Sequence, residues 1–190
     1  MPFGVLAVQG DFREHLQALQ RLGVEAVSVR TPEEVTRIQG LILPGGESTT
    51  IGKLMARYGL VDPIQRLAAS GRPLLGTCAG MILMAKRIEG GLADQPRLGV
   101  MDITVARNAF GRQVDSFEAD LEFAGVNGGP TRAVFIRAPI IQSVGPEVEV
   151  LARHGDRIVA ARQGGLLALS FHPELTDDTR VHAFFLSMRG

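Results

Sequence analysis

Apolar positions fall in short runs, and in the first half of the chain these runs alternate with segments of helical period. "GVLAVQG" (4–10) is a continuous apolar stretch closing on a glycine, the pattern of a strand buried on both faces. Phe12, Leu16, Leu19 and Leu22 then recur at spacings of four, three and three, which places them on one helical face, and Gly23 ends the segment. "VEAVSV" (24–29) predicts a second strand, 32–37 a short helix, and "GLILPGG" (40–46) a third strand running into a Pro-Gly-Gly turn. "TIGKLMARYG" and "DPIQRLAASG" predict helices, the second with Asp62 as N-cap and Pro63 at its first position. "RPLLG" (72–76) is a fourth strand, and "MILMAKRI" after it has a helical composition. Strand and helix alternating in this way imply a parallel sheet with helices on both faces.

The second half is richer in strands: 99–107, 134–139, 147–153, 156–163 and 166–174, with "HGD" (154–156) as a hairpin turn. A last helix carries Val181, Phe184, Phe185 and Met188 on one face. The expected fold is therefore α/β: an open, mixed and mostly parallel sheet with helices on both faces, of flavodoxin-like type. No repeat or linker divides it, so residues 1–190 are expected to form one domain.

Composition narrows the function classes. Lysines and arginines number 20 and acidic residues 20, so no net field draws in nucleic acid or an anionic membrane. No apolar run approaches the roughly 18 residues that a membrane span needs, and the N-terminus has no basic leader or small-residue cleavage pattern. A soluble, cytoplasmic protein is expected. Cys78 is the chain's one cysteine, which excludes an internal disulfide and a Cys-rich zinc site. It is either a small buried hydrophobe or a reactive thiol.

The setting of Cys78 favours the thiol. "GTCAG" (76–80) follows a strand and precedes a helix, the context of a nucleophile elbow with Cys in place of Ser. Such a turn holds the sulfur at the carboxyl edge of the sheet, where open α/β sheets bind ligands, and aims a helix N-terminus at it. Nucleophilic catalysis also needs a base and an orienting group. Of the four histidines, His15 lies on an amphipathic helix, His154 in a hairpin turn and His182 on the last helix, all read as solvated. His172 directly follows the buried run "LLALSF". With Pro173 between them in an extended segment, Glu174 shares its side and can fix the imidazole tautomer. Cys78, His172 and Glu174 form the expected triad. "PGGES" (44–48) is a second strand-ending turn, and Gly46 together with Ala79 supplies the candidate oxyanion-hole amides. Two other classes use the same elbow: thiol-based redox or aldehyde-reacting proteins, and a binding module without turnover.

These three pieces together resemble the class I (triad) glutamine amidotransferases. "LILPGGESTT", "GTCAGMILMAK", "RNAFGRQVDSFEADL", "VFIRAP" and "SFHPELTDDTRVH" are similar to the glutaminase subunits of pyridoxal 5′-phosphate synthase along essentially the whole chain. The resemblance implies hydrolysis of L-glutamine to glutamate and ammonia, with ammonia passed to a separate barrel-type synthase subunit whose docking switches the glutaminase on. By motif it assigns glutamine binding to Gly46, Glu47, Ser48, Arg107, Ile136 and Arg137. Arginine suits a substrate carboxylate and Glu47 its ammonium. No metal constellation or cofactor fingerprint is present, so no metal or cofactor is expected, and pyridoxal phosphate is the product of the complex. Residues 90–98 match no motif, and Gln9 has no assigned use.

Overall fold

In the computed structural model, residues 1–91, 94–110 and 116–188 are described. The centre of "RNAFGRQVDSFEADL" and two residues of the 90–98 segment therefore lie outside the described residues. The first strand, β1 (Phe3–Leu6), is buried throughout, as a continuous apolar run requires. It leads through α1 (Phe12–Arg21) to β2 (Ala26–Val29). α2 (Pro32–Val35) starts on a capping box in which Thr31 and Glu34 satisfy each other's backbone amides. β3 (Leu41–Leu43), α3 (Ser48–Arg57), α4 (Val61–Ala69), β4 (Leu74–Thr77) and α5 (Ala79–Met84) complete the regular half.

Among the described residues, the less regular half begins with β5 (Ala85–Glu89), β6 (Met101–Ala106), β7 (Ser116–Leu121), β8 (Thr131–Ile136), β9 (Ile140–Val144), β10 (Glu149–His154) and β11 (Arg157–Gln163). β12 (Leu166–Leu169), a 3₁₀ turn at Pro173–Leu175 and α6 (Arg180–Ser187) end the chain. The main sheet runs β2-β1-β3-β4-β12-β11-β9-β6-β5, with β10 paired to β11, while β7 and β8 form a separate ribbon. β2, β1, β3, β4 and β12 are mutually parallel; β11, β9 and β6 pair antiparallel, and β5 is parallel to β6.

Period-two alternation divides the core between the faces of the sheet. Leu6, Leu41, Leu43 and Leu74 pack with Ile51, Met55, Ile64 and the wholly buried α5. Val5, Ile42, Leu75, Leu167 and Leu169 pack with Leu19, Val181 and Phe185 from α1 and α6. Phe135, Phe171 and Phe185 are fully enclosed, each contributing roughly 1.5–3 kcal/mol of burial free energy. The expected mostly parallel sheet with helices on both faces is what forms.

Several local expectations give way. Residues 85–89 are strand, because β6 supplies backbone partners that outweigh helical composition. Asp62 lies inside the first turn of α4, whose N-cap is Leu60. Strands β7 and β9 fall where none was expected; SFEADL and IIQSV are short and broken by polar residues, so neither carries a long apolar run.

Candidate active site

Strand β1 runs next to β2 on one side and β3 on the other, so the chain reverses its winding direction there and opens a crevice at the carboxyl ends. Gln9, Gly46, Cys78 and His172 follow β1, β3, β4 and β12 at that edge. All four line one cavity of about 550 Å³, together with Glu47, Ser48, Ala79, Arg107, Ile136 and Arg137. Nine of the ten sequence-expected site residues thus face a single space, and the tenth, Glu174, is buried behind His172.

Cys78 has φ 51, in the left-handed region that non-glycine residues avoid. Its N–H donates to the Leu169 carbonyl at 2.8 Å and its own carbonyl accepts from Ile82 N–H, which ties the turn to β12 and starts α5. Gly80 leaves no room for a Cβ against the Leu43 carbonyl, so α5 packs directly on β3. The elbow is strained because the helix and both neighbouring strands hold it. Asn108 (φ 51) and Arg137 (φ 40) are the other non-glycine residues with positive φ among those described, and both line the same cavity. Strain gathers around this one space.

His172 Nδ1 lies 2.6 Å from Glu174 Oε1. The expected pairing forms, but by another route: residues 173–175 make a 3₁₀ turn in place of an extended segment. Burial pushes the His172 imidazole down; the neighbouring Cys78 sulfur and Glu174 carboxylate outweigh it and hold the ring up at about 10. Burial raises the Glu174 carboxyl, opposed by His172. Asp11 Oδ2 adds a second negative group 3.7 Å from Nδ1. Asp11, His172 and Glu174 bring ligand-type atoms within 4.8 Å of one another, yet a metal there would have to break the His172–Glu174 bond.

The loop after β3 is tied from outside. Asp11 N–H donates to the Gly45 carbonyl at 2.9 Å and Glu47 N–H to Gln9 Oε1 at 3.0 Å. Gly46 between them has φ 153, and its Cβ position is blocked by Gln9 and Gly10. The Glu47 carboxylate caps α3 through Thr49 and Thr50. Burial raises its pKa, but the hydrogen bonds from Thr50 and Thr49 leave it below the usual range. Arg107 Nη2 stands 3.7 Å from Glu47, and Arg107 Nη1 donates to Gln95 Oε1 at 3.3 Å. Buried Gln95 also donates to Ser48 Oγ at 3.1 Å. Part of the unassigned 90–98 segment therefore braces the cavity wall from behind.

A family model described as the SNO glutamine amidotransferase family matches residues 5–189. The chain belongs to the SNO glutamine amidotransferase family. It is 59% identical over 186 residues to pyridoxal 5′-phosphate synthase subunit PdxT of Carboxydothermus hydrogenoformans, covering 98% of this chain and 96% of that one. The subunit of the same name from Herpetosiphon aurantiacus is 60% identical over 190 residues, covering 99% and 100%. Among solved structures, a glutamine amidotransferase superposes with a TM-score of 0.93 at 56% identity over 98% of this chain and 97% of that one. At 18% identity, the PurLQS structure from Thermotoga maritima shares the fold, with a TM-score of 0.68 over 97% of each chain. This SNO-family chain has, among its described residues, no helix long and apolar enough to cross a membrane.

Sequence reasoning missed four cavity-lining residues outright: Asp11, Ile82, Asn108 and Pro139. It also misplaced three histidines. His15 and His182 are fully buried, and His154 is the last residue of β10, against Phe117 and Phe135. For His15 a signal existed: it lies three residues after Phe12 and four before Leu19, on the apolar face.

Proposed function

We propose that this chain is the glutaminase subunit of a pyridoxal 5′-phosphate synthase, working as one domain on L-glutamine and handing ammonia to a barrel-type synthase subunit. One observation carries the catalytic assignment: the strained Cys78 and the Glu174-held His172 line the same cavity. The names of the relatives support the pathway.

The Cys78 sulfur attacks the side-chain amide carbon of glutamine, and the amide oxygen takes up the negative charge. Gly46 and Ala79 N–H groups hold that oxyanion; Ala79 is the first residue of α5, so its amide has no acceptor within the helix. His172, protonated, gives its proton to the nitrogen as the C–N bond breaks, releasing ammonia and leaving a thioester. It then takes a proton from water, whose oxygen attacks the thioester carbon and frees glutamate and the sulfur. Glu174 holds the ring in one tautomer. Arg107 and Arg137 suit the α-carboxylate, Glu47 the α-ammonium, and Gly46, Ser48 and Ile136 the wall between. An unpaired thiol fits a reducing cytoplasm.

Ammonia release from L-glutamine by the wild type and Cys78→Ala, each with and without the partner synthase subunit, tests this. Release that needs Cys78 and rises with the partner is expected. Equal release from Cys78→Ala would overturn the triad, and indifference to the partner would overturn the pathway.

A further inference from the structure

Beneath the Cys78–His172–Glu174 group lies a buried polar chain that the chemistry above does not use. Glu174 turns Oε1 to His172, while Oε2 is enclosed and has no hydrogen-bond partner among the described residues. The contact given to Oε2 is His15 Nε2, at 3.5 Å. That nitrogen is also 3.2 Å from Thr77 Oγ1, and His15 Nδ1 is 3.0 Å from His182 Nε2. His15, Thr77 and His182 are all fully buried. They come from α1, β4 and α6, so three elements converge behind one carboxylate oxygen.

The tautomers follow from which atoms can bear to be unpaired. If His15 carried its proton on Nδ1, its bare Nε2 lone pair would face the carboxylate. His182 would then carry its proton on Nδ1, which has no partner among the described residues, leaving a buried donor unsatisfied. With the proton on Nε2, His15 offers a donor to Thr77 and Glu174, Nδ1 accepts from His182, and only an acceptor is left unpaired.

We propose that His15 is a positioning residue: set by His182 as the Nε2–H tautomer, it presents a neutral donor to the rear oxygen of Glu174. It thereby keeps that carboxylate charged and aimed at His172. This builds on the glutaminase reading above. Burial supports the neutral form, holding His15 well below its ordinary value and His182 at about 4. A neutral donor stabilises Glu174 without a second cation to compete with His172. The other groups around this chain are Asp11, Glu14 and Arg21 from the α1 segment, Cys78 from the elbow and His172 beyond β12. Arg21 is itself paired to Asp177 at 2.8 Å.

Ring-nitrogen NMR of the full chain, without substrate, reads the tautomer directly. His15 is expected as neutral Nε2–H across the neutral pH range; an Nδ1–H or doubly protonated ring would overturn the proposal. Kinetics with the partner subunit supply the second test. His15→Leu should lower kcat about tenfold, as removing the polar group nearest a buried carboxylate oxygen would, leave KM unchanged and move the acid limb of the kcat–pH profile to higher pH. His15→Gln, which keeps a donor, should restore much of both. Wild-type kcat and acid limb in His15→Leu would overturn the proposal. Should the wild type itself show no Cys78-dependent hydrolysis, the glutaminase reading would fall, while the tautomer would still decide the role of His15.

Discussion

The cavity has two kinds of wall. Gln9, Gly46, Cys78 and His172 stand beyond interior parallel strands, each with a neighbour on both sides and an apolar layer above and below. Arg107 and Asn108 follow β6 in the antiparallel flank, while Ile136 ends β8 and Arg137 follows it in the separate ribbon, whose strand β8 is buried on one face only. The two walls meet where His172 N–H donates to the Val134 carbonyl on β8 at 2.9 Å. On the proposed mechanism, the groups that must hold sub-ångström geometry follow strands held on both sides. On the same reading, the groups suited to gripping the ends of a substrate sit on the other wall.

If that division is right, changes on the parallel side strike turnover and changes on the flank strike affinity. The largest effect is expected from Glu174→Gln, which leaves His172 without its charged orienter; kcat should fall about 10²–10⁴-fold with little change in KM. A steady-state series in glutamine checks this, and a rise in KM alone would blur the division.

Next comes the buried histidine chain under the parallel side. Folded His182 holds its proton less readily than the unfolded chain, with a value lowered from 6.5 to about 4 by burial and then by Arg21. The unfolded state therefore binds more protons as pH falls through that window, and stability drops from about pH 6.5 to about 4 and then levels off. His182→Gln should remove its share of that slope, up to about 3 kcal/mol. Chemical denaturation at stepped pH measures it.

On the flank, Arg107→Met should raise KM for glutamine by roughly ten- to a hundredfold, the worth of one charge-assisted contact, with a smaller change in kcat. A loss confined to kcat would place Arg107 with the reacting groups and break the comparison. The smallest effects separate two glycines. Gly80→Ala forces a Cβ onto the Leu43 carbonyl and should cost about 1–3 kcal/mol. Gly155, in the β10–β11 turn, has φ 58 with open space around it; Gly155→Asn should stay within about 0.5 kcal/mol, because Asn tolerates that conformation. Denaturant midpoints of the two variants decide the matter.

The same contrast governs what was legible in the sequence. Parallel strands buried on both faces are written as unbroken apolar runs, so β1, β3, β4 and β12, and with them Cys78, Gly46 and His172, could be placed from the pattern. Glu174 was found by proximity to His172, although the backbone reaches it through a 3₁₀ turn that Pro173 begins. Residues 85–88 read as helix because "MILMAKRI" is helical by composition, whereas the edge strand they begin takes its stability from β6, a partner the composition does not show. Gln95 could not be read at all: its role depends on Ser48 and Arg107, brought to it only by the fold. The burial of His15 was legible in its place on the apolar face of α1, whereas its pairing with Thr77 and His182 exists only once α1 and α6 close on β4.

The most direct test of the central claim uses a glutamine analogue bearing an electrophilic carbon in place of the side-chain amide, added to the chain together with its partner subunit and read by peptide mass. One adduct, on Cys78 and suppressed by excess L-glutamine, is the predicted result. An unmodified Cys78, or labelling that glutamine does not slow, would contradict a catalytic thiol in a glutamine site.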